Sequence, residues 1–181
     1  MTKQKVAELF VKCLEEENVE YVFGLPGEEN TDLIEALSHS KKIRFILTRH
    51  EQGASFLADI YGRLTGKPGV CLATLGPGVI NLLLGVADAN LDKSPLIAIV
   101  AQASMDRLNK HAHQIIDLGE LFMPLTKWNA LLASPLVVNE LIHNGFKLTL
   151  SDPKGAIALI LPEDIAKQKT DGKPLRPQLP K

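Results

Sequence analysis

The stretch GKPGVCLATLGPGVINLLLGVADANLDKSPLIAIVA, residues 66–101, holds two apolar runs, Val70 to Thr74 and Leu96 to Ala101. Between them the chain breaks at Gly76-Pro77-Gly78 and then follows a helical pattern to Leu91. Both runs are apolar throughout rather than alternating, as expected of strands whose sheet is covered on both faces. A strand, a helix and a second strand with short connections imply a right-handed crossover and a parallel strand pair.

The same unit repeats outward from this stretch. Upstream, Val6, Leu9, Phe10, Cys13 and Leu14 give residues 4–17 a helical spacing, and Tyr21 to Phe23 form a short β-rich run. Asn30 or Thr31 caps a helix to about Ser38, Ile43 to Leu47 reads as a strand, and Glu51 to Leu64 as a helix. Downstream, Trp128 to Leu132 and Ala156 to Leu161 read as strands with a helix from Leu136 to Leu148 between them. The pattern predicts a three-layer α/β/α domain with a parallel sheet of about six strands. From Lys167 the sequence KQKTDGKPLRPQLPK has four lysines, one arginine, three prolines and no periodicity. Residues 1–166 are therefore read as the domain and 167–181 as a Pro/Lys-rich linker or tail, leading into something longer.

Composition narrows the function classes. The 181 residues suffice for one domain with a sizeable core. A net charge of -1 with both signs mixed along the chain argues against nucleic-acid or anionic-membrane partners. Two isolated cysteines, Cys13 and Cys71, form neither a disulfide framework nor a metal site. With no apolar run of spanning length and no signal-peptide core at the N-terminus, a cytoplasmic domain is expected.

In an open parallel sheet, ligands bind outside the carboxyl ends of the strands. Three strand-to-helix junctions are informative there: GLPGEEN at 24–30, RHEQGA at 49–54 and LGPGVIN at 75–81. Taken singly, glycine-rich turns occur in any α/β fold, and neither turn has dinucleotide or P-loop spacing. Glu51 is favourable beside a helix N-terminus on electrostatics alone. His50, His111 and His113 have no carboxylates at ligand spacing, so no metal site is expected in this chain.

Together, in this order and spacing, the junctions resemble the N-terminal pyrimidine-binding domain of acetolactate synthases and related thiamine-diphosphate enzymes. The resemblance rests on Pro26 to Asn30, Arg49 to Ala54, Gly76 to Asn81, Leu84 to Ile99, His113-Gln114 and Leu161 to Asp164. In that family a glutamate at the position of Glu51 hydrogen-bonds N1′ of the cofactor's aminopyrimidine. This favours the tautomer that removes the C2 proton. Such an acid must hold or share a proton near neutral pH, so a desolvated position suits it. The resemblance makes Glu51 the catalytic residue. It assigns Pro26, Gly27, Pro77, Asn81 and Gln114 to the pyrimidine pocket, with His113 facing it. Leu25 departs from the family's usual aromatic residue, and Val79 and Ile80 from its usual Ala-Thr.

These enzymes hold the cofactor's diphosphate through Mg2+ on another domain, marked by Gly-Asp-Gly and a later Asn. Here Asp171-Gly172 has neither the preceding Gly nor a later Asn. The resemblance therefore implies half of an active site. It binds only the pyrimidine end of thiamine diphosphate and is inactive alone. The missing diphosphate-binding domain lies in the same longer chain or in a partner subunit, as in split 2-keto acid decarboxylases. A homodimer is expected, with the apolar helix Leu82 to Leu91 as its surface. A non-catalytic assembly module of the same fold is the alternative from another class; a carboxylate kept at Glu51 argues against it.

Overall fold

In the computed structural model, which describes residues 3–108 and 110–175, the apolar runs become the strands of a six-stranded parallel sheet. In chain order the elements begin β1 (Gln4–Lys5), α1 (Val6–Glu16), β2 (Tyr21–Gly24), α2 (Thr31–His39), β3 (Arg44–Leu47) and α3 (Glu51–Thr65). They continue with β4 (Gly69–Ala73), α4 (Pro77–Leu91), β5 (Leu96–Gln102), α5 (Leu118–Phe122) and β6 (Trp128–Leu131). The last are α6 (Val138–Leu150), β7 (Ala156–Pro162), α7 (Glu163–Lys167) and β8 (Lys169–Thr170). The sheet order is β3-β2-β4-β5-β7-β6, which places β2 between β3 and β4.

The sheet separates two apolar cores, and strand alternation decides what each receives. Val70, Leu72, Ile97, Ile99, Ile157 and Leu159 face the side covered by α1, α2 and α6. Cys71, Ala73, Ala98, Ala156 and Ala158 face the side covered by α3, α4 and α5. Leu96, Val100 and Ile160 share the second face, but the alanines and Cys71 between them let α3 and α4 lie close to the sheet. Both faces are thus buried, as the non-alternating runs predict.

Helix ends follow local chemistry. The Glu8 carboxylate accepts from the Lys5 backbone N–H at 2.7 Å at the start of α1. His50 caps α3, its Nδ1 accepting from Gln52 N at 3.2 Å, and Gly66 ends that helix in the left-handed region at φ 71°. Pro77 opens α4 at the position where its missing N–H costs nothing.

The structure corrects the reading of the C-terminal segment from Lys167 as unfolded. Lys169–Thr170 pairs antiparallel with Gln4–Lys5, and Thr170 is buried. Gln4 Nε2 donates to Gly172 O at 2.8 Å, and Asn139 Nδ2 to Lys173 O at 2.8 Å. Backbone pairing of two residues against two leaves no hydrophobic period to read. Residues 176–181 of that segment lie outside the described residues.

Helix α4 divides between core and surface. Leu82, Val86 and Ala89 are buried, whereas Ile80, Leu84 and Leu91 point outward. Leu57, Ile60 and Leu64 of α3 are exposed as well. Among the described residues no helix is long and apolar enough to cross a membrane.

Candidate functional site

The three junctions stand side by side, because β3, β2 and β4 are adjacent and parallel. Each is fixed in a different way. In the first, Asn30 is buried; its Oδ1 accepts from Gly27 N at 2.8 Å and its Nδ2 donates to Leu25 O at 3.1 Å. This brace leaves Pro26 exposed at the turn's tip. In the second, Thr48 N and Oγ1 both donate to Gly24 O, at 2.9 and 3.3 Å, tying the end of β3 to β2. Glu51 then begins α3 and is only 7% exposed. In the third, Gly76 takes φ 58°, a conformation L side chains rarely adopt, and turns the chain into α4.

The carboxylate of Glu51 is held from the third junction. Asn81 Nδ2 donates to Glu51 Oε2 at 3.0 Å. Glu51 Oε1 faces Gly78, where a Cβ would stand 3.3 Å from it, and it has no hydrogen-bond partner among the described residues. The N-terminal position on α3 adds a favourable dipole for negative charge. A nearly buried acid with one oxygen anchored and the other unpaired is suited to a single nitrogen of a heteroaromatic ring. The residues present fit that end of the cofactor.

Gln114 arrives from far along the chain. The segment after β5 folds back so that Gln114 lies against Gly76, whose absent Cβ would stand 2.7 Å from both Gln114 Cβ and Gln114 O. Gln114 itself sits at φ 58°, in the left-handed region, with its side chain exposed. Gln102 holds this segment: its Nε2 donates to Ile116 O at 3.0 Å and its Oε1 accepts from Ala103 N at 2.9 Å.

Pro26, Gly27, Glu51, Pro77 and Asn81 thus lie on three adjoining junctions, with Gln114 packed on the third. His113 is exposed beside Gln114, and no hydrogen bond among the described residues ties it to Glu51. Of the departures from the family pattern, Val79 is buried in the core and Ile80 points outward, 52% exposed. Among the described residues no group of three or more His, Cys, Asp or Glu is arranged to hold a metal ion. Sequence reading missed Asn30, Glu29 and Thr74 as parts of the site's frame. An Asn three residues after Gly27 was a usable signal for the turn brace. Thr74 Oγ1 donates to Glu29 Oε2 at 2.8 Å, and nothing in the sequence pairs the two.

Residues 4–121 match the model of the thiamine pyrophosphate enzyme family, N-terminal TPP binding domain. The chain is 38% identical over 165 residues to the acetolactate synthase large subunit of Corynebacterium glutamicum, covering 91% of this chain and 26% of that protein. It is 38% identical over 177 residues to the acetolactate synthase of Bacillus subtilis, covering 97% of this chain and 31% of that one. It is 39% identical over 165 residues to the chloroplastic acetolactate synthase of Arabidopsis thaliana, covering 91% of this chain and 25% of that one. The chain therefore spans between 25% and 31% of the length of these relatives.

Proposed function

The chain belongs to the thiamine pyrophosphate enzyme family, as its N-terminal TPP binding domain, and on that premise we propose that it grips the aminopyrimidine end of the cofactor with Glu51 on N1′. The observation that carries this reading is the state of Glu51: 7% exposed, Oε2 anchored by Asn81 at 3.0 Å, and Oε1 facing Gly78 with no hydrogen-bond partner among the described residues. When bound, thiamine diphosphate supplies a carbon nucleophile for attack on the carbonyl of a 2-keto acid. Glu51 holds or shares the proton at N1′, a task that burial and a fixed orientation both serve. Asn81 orients the carboxylate. Pro26, Gly27 and Pro77 shape the walls of the slot, and Gln114 stands at its rim toward the reacting substrate.

The whole reaction we propose is that of an acetolactate synthase-like enzyme, in which two pyruvates condense to 2-acetolactate with release of CO2. The diphosphate and its Mg2+ are assigned to a further domain, for which the greater length of the relatives leaves room. The exposed apolar side chains Leu57, Ile60, Leu64, Ile80, Leu84 and Leu91 are the surface on which a second copy and its domains would pack.

The test is exchange of the cofactor's C2 proton for deuterium in the full-length protein with Mg2+. Glu51→Gln is expected to bind thiamine diphosphate but to slow exchange by about 10²-fold or more. Exchange at the wild-type rate in Glu51→Gln would overturn the assignment.

A further inference from the structure

Two side chains given no chemical role above join the first junction to the third. Thr74, the residue after β4, donates from Oγ1 to Glu29 Oε2 at 2.8 Å across the turn that precedes α2. A Cβ placed on Gly27 would stand 2.5 Å from Thr74 Cβ and 2.7 Å from both Cγ2 and Oγ1. On Gly78 it would stand 3.0 Å from Thr74 Cγ2 and 3.3 Å from Glu51 Oε1. Thr74 therefore fills the gap between the two turns and touches each at a glycine. The glycine under its methyl is the one that Glu51 Oε1 faces. With Oγ1 committed to Glu29, the rotamer that lays Cγ2 on Gly78 is fixed.

We propose that the Glu29–Thr74 pair is a clasp that sets the spacing of the Pro26-Gly27 turn from the Gly76-Pro77-Gly78 turn. Glu29 and Thr74 are then positioning residues for the slot above Glu51. Their effect on cofactor binding rests on the reading of that slot given under Proposed function; the clasp itself does not. Asn30 braces the first turn internally and Leu25 N donates to Leu72 O of β4 at 3.3 Å; beyond the strand, the Glu29–Thr74 bond is what ties the turn to the third junction among the described residues. Without Glu29 the first turn keeps its shape and loses its distance from Gly78.

The experiment combines amide hydrogen exchange of the cofactor-free full-length protein with titration by thiamine diphosphate and Mg2+. Thr74→Val keeps the shape and removes the hydroxyl, Glu29→Ala removes the acceptor, and Glu29→Gln retains an acceptor oxygen. Thr74→Val and Glu29→Ala are each expected to speed exchange in both segments 25–30 and 74–81 and to weaken cofactor binding about tenfold. Glu29→Gln should stay within about threefold of wild type, and the double variant Glu29→Ala/Thr74→Val should be no worse than its worse parent. Faster exchange in one segment alone, exchange at the wild-type rate in both, or additive losses in the double variant would each overturn the clasp, and unchanged cofactor affinity in both single variants would overturn its positioning role for the slot. A wild-type protein that binds no thiamine diphosphate would remove the cofactor reading, while the exchange measurement would still decide the clasp.

Discussion

Asn81 donates a hydrogen bond of 3.0 Å to Oε2 of Glu51, so the third junction orients the acid that the second supplies. A bond to a charged acceptor in a nearly buried site is worth about 1.5–3 kcal/mol. Asn81→Ala is therefore expected to slow C2 exchange by about tenfold to a hundredfold, with cofactor affinity changing less. Asn81→Asp sets a second carboxylate against Glu51 and should be slower still. Exchange rates with bound cofactor check both variants, and an Asn81→Ala protein indistinguishable from wild type would remove the anchoring role.

Glycine to alanine has opposite consequences at two positions near the site. Over Gly53, exposed in the first turn of α3, a Cβ would meet nothing within 4 Å. Gly53→Ala should raise stability by about 0.5–1 kcal/mol, read from urea unfolding. At Gly78 the added Cβ would press on Thr74 Cγ2 at 3.0 Å and Glu51 Oε1 at 3.3 Å. Gly78→Ala should lower C2 exchange about tenfold or more by displacing the carboxylate.

Gln114 holds a left-handed backbone, φ 58°, against Gly76. Strain at an exposed polar residue is expected where the side chain's direction matters more than its comfort. Gln114→Gly relieves that strain, so stability should stay within about 0.5 kcal/mol of wild type or rise by about 1 kcal/mol. Turnover of keto acid should fall. A fall in both, measured by unfolding and product formation, would mark Gln114 as a purely structural residue.

Below the site, Asp59 is buried, its side chain 1% exposed, and is paired with Arg63 at 2.7 Å. Arg63 also reaches Asp88 and Asp92, whose side chains are 47% and 55% exposed. Arg63→Met leaves the buried carboxylate without its partner and should cost about 3–5 kcal/mol. Asp88→Ala and Asp92→Ala should each cost less than about 1 kcal/mol. Urea unfolding of the three variants separates the buried pair from the exposed ones.

Residues 1–181 alone, given pyruvate, thiamine diphosphate and Mg2+, are expected to form no acetolactate. Turnover by this segment alone would show that the diphosphate end of the cofactor is held here.

The centre of the sheet was legible because β4, β5 and β7 bury both faces and read as continuous apolar runs, from Val70 to Ala73 and again from Leu96 to Ala101, whereas the edge strands β3 and β6 are partly exposed. The three junctions were legible because glycine, with a proline or an acid beside it, stands where strands give way to helices. What escaped lies at the scale of single side chains. Pairing of β1 with β8 is a backbone event with no periodic signature. The Glu29–Thr74 and Asn81–Glu51 bonds join positions 45 and 30 residues apart, and neither partner is unusual for its own segment. Gln114 gave no hint that it occupies a conformation glycine prefers.

Where α3 crosses α4, Gly85 lies so close to Ser55 that a Cβ there would overlap its hydroxyl. Arg63, carried by α3, grips Asp88 on the same neighbour and Asp92 just beyond its end. Two helices locked at mid-length and at one end have little freedom to slide or pivot separately. Glu51 and Asn81 sit at their other ends, so they ride on one stiff unit. A load on the outward leucines would carry donor and acceptor together, translating the slot while preserving its internal alignment.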